Sequence, residues 1–297
     1  MPSVPERLAE SLSDRYRIER GPDGNPVLLG RGGTAAVYLA HDARHERQVA
    51  LKVVHPELAV SVEAERFLRE IRLVARLSHP HILPLFDSGE ADGLLFFVMP
   101  YLKGESLRRW LQREGKLELP VVLGIAREVA LALDYAHRQG VVHRDIKPEN
   151  ILLEDGQAVV ADFGVAAAMQ VVGEEKLTET GRAIGTPAYM SPEQAGGDGP
   201  LDGRSDVYSL GCVIYEMLGG APPFMGVTPH AVMVQQVVAA LPPLGPRRPD
   251  VPVPIVQAVE RALAKAPADR FATAAELAAA LEEGRLSGGQ RAVDVGR

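Results

Sequence analysis

VVHRDIKPENILL, Val141 to Leu153, places a run of charged groups between apolar flanks of β type. A packed core does not take up such a run without a use for it, because each charge that leaves water unpaired is costly. Asp145 and Asn150 put a carboxylate and an amide on one short loop. A second apolar run, AVVA, then leads into Asp162-Phe163-Gly164. Mg²⁺ takes hard oxygen ligands, usually from one or two protein groups together with substrate phosphates. Asn150 and Asp162 fit that ligand chemistry, and Asp145 is left to orient a hydroxyl.

Composition narrows the field. At 297 residues, 46% hydrophobic and 24% charged, the chain has material for two lobes and a substantial core. A net charge of −7 gives no basic face, so nucleic acid is not an expected partner. The single cysteine, Cys212, lies in the apolar run LGCVIYEML and reads as a small core residue in a reducing compartment. VVLGIAREVALAL is broken by Arg127 and Glu128, and no run approaches the roughly 18 apolar residues of a bilayer span. The opening MPSVPERLAE has no apolar stretch of signal-peptide type.

From the N-terminus, residues 5–15 read as a short polar helix. Tyr16 to Glu19 starts a strand that the turn-rich GPDGNP at 21–26 interrupts. LLGRGGTAAVYLAHD follows, with Gly30, Gly32 and Val37 matching G-x-G-x-x-G-x-V and Ala35 standing where the third glycine would be. Such a loop alone is a weak signal, strengthened here by the next strand, Val49-Ala50-Leu51-Lys52. In SVEAERFLREIRLVARLS, apolar Phe67, Ile71, Val74 and Leu77 recur at helical spacing. Two strands joined by a polar turn at Glu90 to Gly93 then run to Met99. From Leu107 the pattern changes to helices, SLRRWLQREG and PVVLGIAREVALALDYAHRQG, on which Trp110 reads as a packing residue. His79 and His81 lack metal-ligand partners and read as structural turn residues. Residues 284–297, rich in Gly, Ser and charge, read as a tail outside the core.

These motifs, in this order, resemble those of protein kinases, and over roughly residues 16–283 the chain resembles the bacterial, eukaryotic-like serine/threonine kinases. The resemblance implies an α+β, bilobal protein-kinase-like fold. A small antiparallel β lobe of five strands and one helix (about 1–99) would join, through a hinge at about 100–103, a larger mainly helical lobe (about 104–284), with 285–297 a flexible tail. ATP is expected in the cleft between the lobes, with Mg²⁺, or Mn²⁺ in its place, and with Ser/Thr hydroxyls of proteins as acceptors. Gly30, Gly32 and Val37 would roof the nucleotide, joined by Ala50, Met99 and Leu152. At the hinge, Pro100 would offer its carbonyl and Leu102 its backbone N–H. Lys52 would hold phosphates, Glu70 would hold Lys52, and Asn150 and Asp162 would bind the metal. Asp145 would orient the acceptor hydroxyl, while Lys147, which favours Ser/Thr over Tyr substrates, would neutralise the transferring phosphoryl group.

By the same resemblance Thr186 in GTPAY faces the substrate, and Ser191-Pro192-Glu193 stands for the A-P-E terminator with Ser for Ala. Arg270 would pair with Glu193, and Asp206 would tie down the catalytic-loop backbone from a buried helix. Arg144, beside Asp145, implies a phosphothreonine partner at Thr178 or Thr180, hence activation by autophosphorylation and a homodimer for reaction in trans. Two other readings are weighed against this one. A pseudokinase scaffold usually lacks the lysine or one of the two aspartates, all present here. A small-molecule phosphotransferase of kinase-like fold would lack GTPAYMSPE and SDVYSLG. Relatives commonly continue into a membrane span and a sensor, so the expected location is the cytoplasm, free or as the cytoplasmic part of a membrane-anchored receptor kinase.

Overall fold

The strand RQVALKVV, Arg47–Val54, is hydrogen-bonded on both edges and sorts its neighbours into two faces. The computed structural model describes residues 7, 10–33, 35–55, 71–163, 187–197, 199 and 201–294, with side chains to 287. Strands β1 (Tyr16–Ile18), β2 (Leu28–Arg31), β3 (Ala35–Asp42), β4 (Arg47–Val54), β5 (Asp87–Ala91) and β6 (Leu94–Pro100) form one antiparallel sheet. Its order is β1-β3-β4-β6-β5, with β2 also on β3. Because successive side chains point to opposite faces, Val49, Leu51 and Val53 join Tyr38, Phe96 and Val98 in a core that Leu12 and Tyr16 close. The opposite parity carries Val37, Ala50, Lys52 and Met99.

Six strands stand where five were expected, because the first is split in two. Tyr16–Ile18 and Leu28–Arg31 pair with successive parts of the same strand, β3. Between them the GPDGNP turn leaves the sheet and returns to it. Glu19 N donates to Leu39 O at 2.9 Å, and Leu39 N donates to Val27 O at 2.9 Å. The β5–β6 turn is shorter than the expected 90–93. Asp92 and Gly93 both adopt left-handed φ, 51° and 71°, as a two-residue hairpin turn with the right twist requires. Before β1, residues 10 and 11 are helical and 12–15 form a turn. Tyr16 donates its hydroxyl to Asp87 at 2.8 Å, and burial, aided by that carboxylate, pushes its pKa up to about 12. Residues 71–74 are helical, with Ile71 buried; Phe67 and Glu70 lie outside the described residues.

The second compact unit joins His79–Ile82 to the chain from Gly104 to Phe163 and to its C-terminal part, and it holds the helices α1 (Leu107–Glu114), α2 (Leu119–Arg138), α3 (Pro192–Gly196), α4 (Gly203–Gly219), α5 (Pro229–Val238), α6 (Val253–Ala262) and α7 (Ala274–Asp294). A small sheet, β7 (Glu105–Ser106), β8 (Ile151–Glu154) and β9 (Gln157–Val160), completes it. His79–Ile82, expected with the N-terminal lobe, belongs to this unit. Val160 N donates to His81 O at 2.9 Å, the His81 ring meets Ala158 O at 2.9 Å, and His79 stacks on Tyr135. Helix α4 is buried on all sides from Ser205 to Leu218, so its apolar run needs no polar face. Burial there pushes the Cys212 thiol up. Trp110 is only half-buried.

Helix α7 runs through most of the stretch expected as a tail, staying helical to Asp294. Gly284, the first residue of that stretch, serves close packing: a Cβ there would come within 2.8 Å of Ile255. Gly104 is a tighter case, since a Cβ would stand 1.7 Å from the Leu153 carbonyl oxygen in β8. Gly104→Ala must therefore push β7 and β8 apart. It is expected to lower stability by about 3 kcal/mol, read as a shifted urea midpoint at unchanged slope.

Candidate active site

A two-residue turn sets the register on which the site depends. Asp155 and Gly156, both left-handed at φ 50° and 79°, close the β8–β9 hairpin and pair Ile151 with Val160. The next residues outward, Asn150 and Ala161, therefore face each other, and Ala161 N donates to Asn150 O at 2.8 Å. Asp162 follows directly, at φ 67°. Asn150, in the short 3-10 turn Pro148–Asn150, gives its amide N–H to Asp145 O at 2.8 Å and to Asp145 Oδ2 at 3.0 Å. That use of the amide nitrogen turns the amide oxygen toward ligand duty. An amide oxygen and a carboxylate form the hard donor set that a divalent cation such as Mg²⁺ takes, so the residues present fit the metal that the fold implies. Lys147 Nζ lies 2.6 Å from Asp145 Oδ2, and the Asp145 side chain stays 34% exposed, open to an incoming group.

Behind this loop, Asp206 is fully buried in the first turn of α4. Its Oδ2 accepts from His143 N at 2.8 Å and meets His137 Nε2 at 2.7 Å, and its Oδ1 accepts from Arg144 N at 2.8 Å. Burial alone would push its carboxyl up, but the His137 hydrogen bond and the neighbouring donors outweigh that and hold it below the ordinary value. Arg144 has φ 69°, a left-handed conformation that costs a residue with a Cβ about 1–2 kcal/mol. Asp206 grips its N–H, and Gln194 Nε2 donates to its carbonyl at 2.8 Å. His143 is buried, with Nε2 donating to Ala161 O at 2.9 Å, Nδ1 accepting from Asp145 N at 3.2 Å, and its ring edge-on to Phe163 at 4.6 Å. One imidazole thus spaces the Asp145 loop from the Asp162 segment.

The other polar groups of α4 reach the remaining parts of the site. Ser205 donates to Glu193 at 2.6 Å, and Ser209 donates to Tyr189 O at 2.7 Å. Arg270 forms a bidentate pair with Glu193 at 2.7 Å on each oxygen and also donates to the Ala264, Arg204 and Lys265 carbonyls. Burial pushes the Glu193 carboxyl up, but Arg270 and Ser205 more than reverse it, so its pKa is lowered. Ser191 caps α3 in a capping box with Gln194, which explains Ser where the A-P-E pattern has Ala. Sequence reasoning missed Gln194, although S-x-x-Q before a helix is a readable signal. It also missed the cluster of Arg108 with Glu149, Glu216 and Tyr189, whose members are scattered along the chain.

In the first unit, Gly30 pairs with Val37 and Val37 with Lys52, one cross-strand row, while Ala50 pairs with Met99 two residues along. Lys52 is buried at 6% exposure. Ala35 opens β3 opposite Val54, and it is not among the positive-φ residues. The position therefore needs no glycine, and alanine carries no left-handed strain there. Pro100 ends β6, and Leu102 follows in irregular backbone, half-buried. In the second unit Leu152 pairs with Val159. Gly32 closes the turn before β3 by donating to Ala35 O at 2.9 Å. Glu70, Thr178, Thr180 and Thr186 lie outside the described residues.

The carboxylate–amide loop and the second aspartate on the adjoining hairpin give this unit a set of hard oxygen donors. The family model described as protein kinase domain matches residues 25–280, and the chain belongs to that family. It is similar to the serine/threonine-protein kinase PknB of Mycolicibacterium smegmatis, 42% identical over 92% of this chain and 43% of that protein. To PknB of Mycobacterium leprae it is 42% identical over 91% and 43%, and to PknH of Mycobacterium bovis 40% over 93% and 46%. The chain thus spans less than half the length of these relatives. No helix among the described residues is long and apolar enough to cross a membrane.

The Glu193–Arg270 pair offers a direct test. Removing one partner of a buried pair strands the other, so Arg270→Ala should cost about 3–5 kcal/mol in urea unfolding. Because the folded pKa of Glu193 is depressed below 4.5, its contribution is fully present above that pH and is lost as pH falls through the folded value. Between about pH 6 and pH 3 the parent should lose more stability than Glu193→Gln, which has nothing to titrate at that position.

Proposed function

We propose that this chain is a protein-serine/threonine kinase domain that transfers the γ-phosphoryl group of ATP to Ser and Thr hydroxyls of proteins. The observation that carries this is the Asp145–Lys147–Asn150 cluster held on the Asp206 clamp, with Asp162 delivered beside Asn150 by the hairpin register. Membership of the protein kinase family and the names of the relatives support the same chemistry. A pseudokinase would not need Lys52, Asp145 and Asp162 together.

Catalysis of this kind is positioning plus charge neutralisation. Asn150 and Asp162 would hold a divalent cation, Mg²⁺ or Mn²⁺, whose positive charge would offset that of the phosphates. Asp145 accepts a hydrogen bond from the acceptor hydroxyl and turns its lone pair toward phosphorus. Lys147, 2.6 Å from Asp145, offsets charge on the moving phosphoryl group. Lys52 pairs with the other phosphates, Glu70 orients Lys52, and Thr186 faces the acceptor. The nucleotide base rests against Val37, Ala50, Met99 and Leu152, with Pro100 and Leu102 supplying backbone groups and Gly30 and Gly32 the close approach. A cytoplasmic location, and a homodimer for reaction in trans, complete the reading.

Incubation with Mg-ATP and a basic protein should give phosphoserine and phosphothreonine; a chain that binds ATP but transfers nothing would be a scaffold instead. Asp145→Asn should abolish transfer and leave ATP affinity within about tenfold of the parent, a change of about 1.4 kcal/mol. Mass spectrometry of the parent after Mg-ATP should locate phosphate on the peptide containing Thr178 and Thr180, absent from Asp145→Asn. The double variant Thr178→Ala/Thr180→Ala should lower kcat by about tenfold or more, since a phosphate brings up to three charge-assisted hydrogen bonds. Full activity in that variant would remove the switch and leave the kinase.

A further inference from the structure

We propose that Gln236 is a positioning residue for the protein acceptor, fixing the Pro187 carbonyl on the turn that follows Thr186; the inference rests on the kinase reading above. Gln236 lies on α5, whose buried stripe is Val232 and Gln236, and it has no exposure. Val234, Val237 and Val238 of the same helix are exposed, so an amide is inside where a valine would ordinarily be. A buried amide is tolerated where its hydrogen bonds are made. Gln236 makes them to two other elements: Tyr208 on α4 donates its hydroxyl to Oε1 at 2.6 Å, and Nε2 donates to Pro187 O at 3.0 Å.

The amide is fixed in one orientation. A backbone carbonyl only accepts, so Nε2 must face Pro187 and Oε1 is left to the hydroxyl. Burial pushes the Tyr208 pKa far up, which keeps that hydroxyl a donor, and the Arg270 guanidinium lies over its ring, 4.9 Å from the centroid. Lys265 Nζ donates to the Gln236 carbonyl at 2.6 Å, so the backbone that bears the amide is held as well. The turn Pro187–Tyr189 is thereby pinned at both ends, by Gln236 at the Pro187 carbonyl and by Ser209 at the Tyr189 carbonyl. The turn's own donor to Pro187 O, Met190 N, is more distant at 3.3 Å. Thr186, the residue assigned to the acceptor, joins this turn directly, whereas Lys52, Asn150 and Asp162 come from other segments. Loss of the amide should therefore be felt by the acceptor and not by ATP.

Methionine keeps the length of the side chain and loses both bonds. With histone as the acceptor protein, Gln236→Met should raise the KM for histone about tenfold, with kcat within about threefold and the KM for ATP within about twofold. A general loosening of the fold would move all three together. Tyr208→Phe provides the second arm, readable even where the methionine variant does not fold. It frees the amide to rotate without touching Pro187, and it should raise the histone KM about threefold. In the Gln236→Met background the same change should alter that KM by less than about twofold, because the partner of the hydroxyl is already gone. A parental histone KM in either single variant, an equal rise in the KM for ATP, or an equal effect of Tyr208→Phe in both backgrounds would overturn the inference and leave the kinase standing. An inactive parent chain would overturn the kinase reading, and this inference with it.

Discussion

A single buried carboxylate underlies the catalytic loop. Asp206 has no exposure, and an ion in that setting is tolerated only when donors replace its water. It has two backbone amides and one imidazole, and those three groups come from the end of α2 and from the loop that carries Asp145. Removing the ion would leave the donors unsatisfied; removing a donor would leave the ion short. The left-handed Arg144 is a product of this mutual need. Its backbone strain persists because Asp206 holds its N–H while Gln194 holds its carbonyl.

Helix α4 is better understood as a polar hub inside an apolar rod. Its apolar residues give it burial, and four of its polar residues are bonded to different parts of the site. Ser205 meets Glu193, Asp206 the catalytic loop, Ser209 the Tyr189 carbonyl, and Glu216 the pair Arg108 and Tyr189. Burial and the Glu216 carboxylate push the Tyr189 hydroxyl far up, so it stays a donor at any physiological pH. A buried polar network of this kind defines one arrangement sharply, because a partly satisfied alternative is costly.

Much of this was legible beforehand, and the residues that were not share a reason. Strand alternation around Lys52, the HRD and DFG triplets, and the Glu193, Asp206 and Arg270 positions carry their meaning in local pattern. The family model, spanning residues 25–280, covers those patterns. His137, Gly104 and Arg108 carry no local pattern, since each acts on a partner distant along the chain. Three positions show how one residue type can carry two meanings. Gly284 opens a stretch that reads as a tail by composition, whereas its missing side chain lets the helix pack against Ile255. Ala35 matters as a missing glycine only if the backbone turns left-handed there, whereas it begins a strand. GPDGNP interrupts a strand without ending it, so one strand in the pattern became two in the sheet.

That last feature has a wider implication. The chain leaves the sheet at Glu19 and re-enters at Val27, and both ends are bonded to the same residue, Leu39. Exit and return are thus adjacent, so the hairpin can be lengthened, trimmed or replaced without sliding β2 along β3, and the entropy of a longer loop grows only logarithmically. The position of Gly30 beside Val37 is insulated from whatever the excursion contains. The segment is an interchangeable cassette on this sheet, where new surface can be acquired while Gly30 stays in register with Val37.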